Sequence, residues 1–268
     1  MSVQTNNVYN NQVIVDALNE QLNTKLDFSR FLTVDNSLSA EAGMSVKINT
    51  YTISGSAEAV NEGSGNTSEV SVSFAPTTHT VITSQAKGSY TDEAAMSDPN
   101  AIDKLVNGIS TALVNKFNAD AVAALGGIAA GMTITASNFS ADCVWDAIAK
   151  MNLEDDDENG LVLLVNPANK AEIRKALADE LKYVEDFQRV GYIGTLGSVS
   201  VYTSKLVPAD TGYCFNPSAI TAFVKKSAEV EMDRDIDTRI NVVVARMVNV
   251  IALTDATKAV KIDFSNAA

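Results

Sequence analysis

In Ser97-Asp98-Pro99-Asn100-Ala101-Ile102-Asp103-Lys104-Leu105-Val106-Asn107-Gly108-Ile109, apolar side chains begin to recur at helical spacing. The recurrence runs on through Leu113, Phe117, Ala121 and Leu125 to Gly126-Gly127, a glycine pair suited to ending a helix. Asp98 is the expected N-cap and Pro99 the first helical residue, where a missing N–H costs nothing. Some 28 residues from Asp98 to Leu125 would span about 40 Å, long enough to act as a spine.

What precedes this helix is its opposite in composition. No leucine occurs between Leu38 and Leu105, and seventeen of the forty-seven residues from Ser45 to Thr91 are Ser or Thr. Such a stretch cannot fill a deep core, so it reads as a long solvent-facing β arm. Its strands are expected at Val46-Lys47-Ile48-Asn49-Thr50-Tyr51-Thr52-Ile53 and at Glu69-Val70-Ser71-Val72-Ser73-Phe74, around the polar tip Glu62-Gly63-Ser64-Gly65-Asn66. Upstream, Val13, Ile14, Ala17, Leu18 and Leu22 mark a short amphipathic helix within Tyr9 to Leu26, too small to stand alone.

Downstream of the spine the signals alternate. A helix is predicted from Ser140 to Met151, a strand from Leu161 to Val165, a helix from Asn166-Pro167, and strands near Val199-Tyr202 and Ile220-Val224. The chain then passes through Glu229-Val230-Glu231-Met232-Asp233-Arg234 into a strand from Ile240 to Leu253, apolar on both faces, and on to Ala259-Val260-Lys261-Ile262.

With 268 residues, 46% of them hydrophobic, the chain can build a real core. Twenty Lys and Arg against 33 Asp and Glu give a net charge of −13, which argues against a surface that grips nucleic-acid phosphate. Cys143 and Cys214 are too few for a disulfide scaffold and sit in apolar contexts that suit buried thiols. Neither export nor membrane insertion is predicted, because no basic start leads into an apolar run and no segment approaches eighteen apolar residues.

Enzyme motifs do not assemble. His79 is the only histidine and lies in the Thr-rich arm, away from any evident acid or thiol. Ser84-Gln85-Ala86-Lys87 matches S-x-x-K without its companion motifs. Gly191, Gly194 and Gly197 have the wrong spacing for a dinucleotide loop and precede a strand. Asp155, Asp157, Asn159 and Gly160 fit half of a calcium loop, but Asn166 stands where a bidentate Glu is needed. The reading is therefore of a protein that is not an enzyme, with no catalytic, cofactor or metal site.

The order of arm, spine helix, compact α/β unit and long late strand resembles the major capsid proteins of tailed phages, of the Hong Kong 97 type. The resemblance rests on Gly43-Met44-Ser45-Val46-Lys47-Ile48 through Tyr90-Thr91-Asp92-Glu93, on Pro99 to Leu125, and on Glu229-Val230-Glu231 with Arg234, Asp237, Arg239 and Ala256 to Ile262. It implies an α+β fold with an N-terminal arm over 1–42, an extended loop over 43–92, a peripheral domain with the spine helix over 93–132, an axial domain over 133–224, and a return to the peripheral domain over 225–268. It further implies hexamers and pentamers tiling an icosahedral shell around phage double-stranded DNA, joined through the extended loop and N-arm. Such a shell is part of the virion and is assembled in the bacterial host cytoplasm.

Portal, scaffold or decoration proteins are the other implied partners, and DNA is met only indirectly. With a short helix ahead of the fold, the expectation is of no built-in scaffolding segment. An alternative of the same fold is an encapsulin-like bacterial nanocompartment shell around a cargo enzyme. A Ser/Thr-rich surface adhesin and a two-carboxylate hydrolase are further readings, disfavoured by the missing signal segment and by the lack of any spacing that selects two acids.

Overall fold

A computed structural model of the chain describes residues 28–40, 43–98, 100–136, 140–153, 160–176, 195–196 and 199–264. The helix read over Tyr9 to Leu26, the acidic loop from Asp155 to Asn159, and Gly191, Gly194 and Gly197 lie outside the described residues.

Among the described residues, three sheets and one long helix form the fold. Strands β1 (Thr33–Asp35), β4 (Ile82–Thr91), β10 (Ile220–Asp235) and β11 (Ile240–Leu253) make a four-stranded sheet in the order β1-β10-β11-β4. A six-stranded sheet has the order β5-β12-β9-β6-β8-β7. Its members are β5 (Thr133–Thr135), β12 (Ala259–Asp263), β9 (Thr211–Phe215), β6 (Val162–Val165), β8 (Val199–Thr203) and β7 (Thr195–Leu196). Among the described residues, strands β2 (Ser45–Ser54) and β3 (Ser71–Thr80) pair only with each other.

The spine helix α2 (Ala101–Leu125) follows a short helix α1 (Asp92–Ser97). Thr91 caps α1 by accepting the Ala94 amide at 3.2 Å. Asp98 therefore closes α1, its own amide donating to the Ala94 carbonyl, instead of opening the spine as expected. Asn100 occupies the N-cap position, and its amide donates to Asp98 Oδ1 at 3.0 Å. Of the expected stripe, Ile102, Val106, Ile109, Leu113, Phe117, Ala121 and Leu125 are buried, and Leu105 is half-buried against the same core.

That core is continuous from one sheet to the other. It joins the spine residues to Val243, Ala245 and Met247 of the four-stranded sheet, and to Leu164, Tyr213 and Phe215 of the six-stranded one. Burying each large side chain contributes about 1.5–3 kcal/mol, so this stripe is the main support of the subunit. On the opposite face of the six-stranded sheet, α3 (Ala141–Met151) places Cys143, Val144, Ala147, Ile148 and Met151 over Leu161, Leu163, Val165, Cys214, Val260 and Ile262. Asn152 ends α3 in the left-handed region at φ 48°, its amide bonded to the Ile148 carbonyl. A fourth helix, α4 (Pro167–Ala176), follows β6.

Small residues let the spine approach β4. A Cβ on Gly88 would lie 2.6 Å from Leu105 Cδ1 and 3.0 Å from Ile109 Cδ1. Gly88→Val is expected to overpack this contact and destabilise the subunit by about 1–3 kcal/mol, read as a lower urea midpoint with an unchanged slope. A midpoint equal to wild type would show that the helix does not rest on β4 there.

The pairing departs from a contiguous division of the chain. β4, inside the stretch read as extended loop, hydrogen-bonds to β11 along its length from Ile240↔Thr91 to Asn249↔Ile82. Ile220 to Val224, read with the α/β unit, begins β10 and pairs with β11. β12, within the stretch read as the return to the peripheral domain over 225–268, lies between β5 and β9 of the six-stranded sheet. The reason is physical: Ala259, Val260 and Ile262 are wholly buried, which requires neighbours on both edges and both faces.

Candidate assembly surfaces

The β2–β3 hairpin pairs without interruption from Ser45↔Thr80 to Ser54↔Ser71. In a bulge-free strand side chains alternate faces, so Val46 and Ile48 share one face and Tyr51 and Ile53 the other. At the base, Val46 is buried and Ile48 half-buried, packed with Leu38, Val81, Phe223 and Ala252. Beyond Asn49 the apolar residues change sides. Tyr51, Ile53, Val72 and Phe74 come together on the face opposite the docked one, 62%, 70%, 59% and 65% exposed. The Tyr51 and Phe74 ring centroids are 6.4 Å apart.

The arm expected to be polar thus carries an apolar patch on its outer half. Its phase change is written in the sequence, between Ile48 and Tyr51. His79 pairs with Val46 at the base of the arm, within a strand and apart from any catalytic grouping.

A second feature is the turn joining β10 to β11, which is braced against α1. Arg234 donates to Asp92 at 2.7 Å, Asn241 donates to the other oxygen of Asp92 at 2.7 Å, and Arg239 donates to Glu93 at 3.1 Å. These hydrogen bonds, Arg234 first and then Asn241, hold the Asp92 carboxyl below the usual carboxylate range. Arg239 adopts φ 53° to make the turn, and Ile236 beside it is 81% exposed. On the sheet face away from the spine, Arg246 bridges Glu229 and Glu231, each at 2.8 Å, and Lys226 pairs with Glu229. The Glu229 carboxyl is lowered by Lys226 and Arg246.

None of these groupings is catalytic in geometry. Ser84 is buried and Lys87 exposed, because residues three apart on a strand point to opposite faces, so the S-x-x-K pair is not assembled. Cys214 is buried and its thiol pushed up to about 12 by desolvation, which leaves it protonated and unreactive. Among the described residues, no group of three or more His, Cys, Asp or Glu side chains gathers to hold a metal ion. Among those residues too, no helix is long and apolar enough to cross a membrane.

Solved structures share this arrangement at low sequence identity. The capsid of cyanophage P-SCSP1u aligns with a TM-score of 0.74 and 13% identity, over 88% of this chain and 87% of that one. A virus-like particle from Pyrococcus furiosus aligns at 0.65 and 12% identity, over 94% and 98%. The fold is the α+β Hong Kong 97 type. A major capsid protein of Staphylococcus phage phiMR11 is 29% identical, over 97% of this chain and 94% of its own length. The model of the phage capsid protein family matches residues 75–262. The chain belongs to that family and is a phage major capsid protein, a structural subunit that associates with its own kind. The family match favours the phage capsid over the nanocompartment alternative.

Proposed function

We propose that the chain tiles a closed icosahedral shell of hexamers and pentamers around phage double-stranded DNA, and that the β2–β3 arm of one subunit lies across a neighbouring capsomer. The observation that carries this reading is the exposed patch of Tyr51, Ile53, Val72 and Phe74, set on a projecting hairpin with no core of its own. A two-stranded hairpin is marginal in water, and its order is completed by a surface that covers the apolar face. In this reading the four-stranded sheet and spine form the peripheral domain, and the six-stranded sheet with α3 the axial domain. On this reading the N-terminal arm joins the extended hairpin in holding neighbours, and Phe28, Phe31, Leu32 and β1 anchor it to the subunit's own core and sheet.

The net charge of −13 suits an inner wall that repels DNA, so that packaged DNA slides instead of sticking. Assembly takes place in the bacterial host cytoplasm, and portal, scaffold or decoration proteins act on the growing shell. Electron microscopy and sedimentation of the purified full chain test the reading. Closed shells or capsomers are expected. A stable 28.4 kDa monomer under every assembly condition would overturn it.

A further inference from the structure

The tip of the arm, residues 55–70, has no regular secondary structure, and every residue in it except Ser68 is exposed. An unpacked segment of this kind should sample many shapes and lose that freedom whenever it docks. Side-chain hydrogen bonds oppose this, those to Glu58 foremost. Glu58 Oε2 accepts three hydrogen bonds from across the loop: the Thr67 amide at 3.0 Å, the Thr67 hydroxyl at 2.9 Å and the Ser68 amide at 3.1 Å.

Around that carboxylate, the Ser68 hydroxyl donates to the Ser56 carbonyl at 2.6 Å, and the Ser68 amide is shared with Asn66 Oδ1 at 2.8 Å. The Ser54 and Ser71 hydroxyls lie 2.7 Å apart where the strands end. Gly55 begins the tip at φ +123°, where a Cβ would lie 2.6 Å from the Glu69 carbonyl oxygen. The Glu58 carboxylate, with the Ser68–Ser56 bond beside it, therefore ties the outgoing limb of the tip to the returning one, nine and ten residues away.

We propose that Glu58 is the positioning residue of the arm, fixing its tip in the shape that meets a second copy of the chain. This rests on the shell reading above. The benefit is preorganisation: an arm already shaped before contact loses less conformational entropy on docking, so assembly begins at lower subunit concentration. Hydrogen bonds from Thr67 and then Ser68 hold the Glu58 carboxyl below its ordinary value. The staple is consequently complete above the ordinary carboxylate range and is lost as pH falls through the lowered value. The tip itself carries no Lys or Arg, and its other titratable groups are Glu62 and Glu69. The strands leading to it add Lys47, Tyr51 and His79.

The test compares wild type, Glu58→Ala and Glu58→Gln as full chains. In E58A, amide exchange at Thr67 and Ser68 should quicken about tenfold or more, because a charged acceptor is gone. The melting temperature should stay unchanged, and the subunit concentration needed for shells should rise severalfold. E58Q keeps an amide oxygen as acceptor and should fall between the two. The gap in shell yield between wild type and E58Q should be full near neutrality and close in acid, where a protonated Glu58 resembles glutamine. That convergence is a readout that loss of fold would not produce, and it remains decisive if E58A proves unstable. Unchanged exchange in E58A, unchanged assembly despite faster exchange, or a wild-type to E58Q gap independent of pH would each overturn the proposal. Failure of wild type itself to form shells would instead count against the shell reading.

Discussion

Replacing residues 50–75 with a short Gly-Ser turn is expected to leave a folded subunit that no longer closes into shells. The excision removes Tyr51, Ile53, Val72 and Phe74, none of which belongs to any of the three buried clusters. Val46, which does, is kept, and so is the pair Asn49↔Pro76 that would carry the new turn. The spine and the two larger sheets bury their own surfaces, so helical content and a cooperative melt should survive. Covering the four lost side chains on a neighbour would contribute several kcal/mol per arm, at about 1.5–3 kcal/mol for each one fully buried. A shell repeats that contact once per subunit, so its loss should stop closure. Circular dichroism and negative-stain microscopy on one sample decide the matter: intact shells from the shortened chain would show that other surfaces join the subunits.

Ile109→Asp is expected to abolish soluble folding. Ile109 is 4% exposed in the middle of the spine's buried stripe, with Val106 and Leu113 beside it and Val243 and Ala245 in the same core. Removing the side chain alone should cost about 2–5 kcal/mol, and an unpaired buried carboxylate adds several more. Together these approach the whole stability of a typical domain, roughly 5–15 kcal/mol. Ile109→Val, by contrast, should cost only about 0.5–1.5 kcal/mol and assemble normally. Soluble yield and thermal melting of the pair give the answer, and normal shells from the aspartate variant would show that the stripe does not face the core.

The spine was readable in advance because its period is local: residues three and four apart must face the same way, and Ile102 through Leu125 do. Its start was not, since Asp98 can serve either as the end of α1 or as the cap of α2, and the Thr91 cap nine residues before Asn100 settles which. Composition identified the exposed arm but could not separate it from β4. Both are rich in Ser and Thr, and what sets β4 apart is the close approach of Leu105 and Ile109 to Gly88. Sheet membership was the least legible part, since the partners of β12 are set by residues around Thr133 and Tyr213, distant in sequence. Among the assembly features, the alternation at Tyr51, Ile53, Val72 and Phe74 was visible as residues. Its change of side can be read between Ile48 and Tyr51, but which side faces the subunit is fixed by the burial of Val46. The Glu58 staple gave no signal, because a lone Glu in a polar loop has no pattern to betray its partners.

The place of β12 also sets a clock on biosynthesis. This strand is made well after β5 and β9, yet it fills the gap between them, pairing Lys261 with Thr133 on one side and Tyr213 on the other. Until it emerges from the ribosome, the six-stranded sheet is split and both inner edges stand unpaired. A nascent chain therefore cannot complete this sheet, and a polypeptide cut short before Ala259 never can. Closure of the six-stranded sheet is thereby tied to the end of translation, since it waits on a strand that finishes at Asp263.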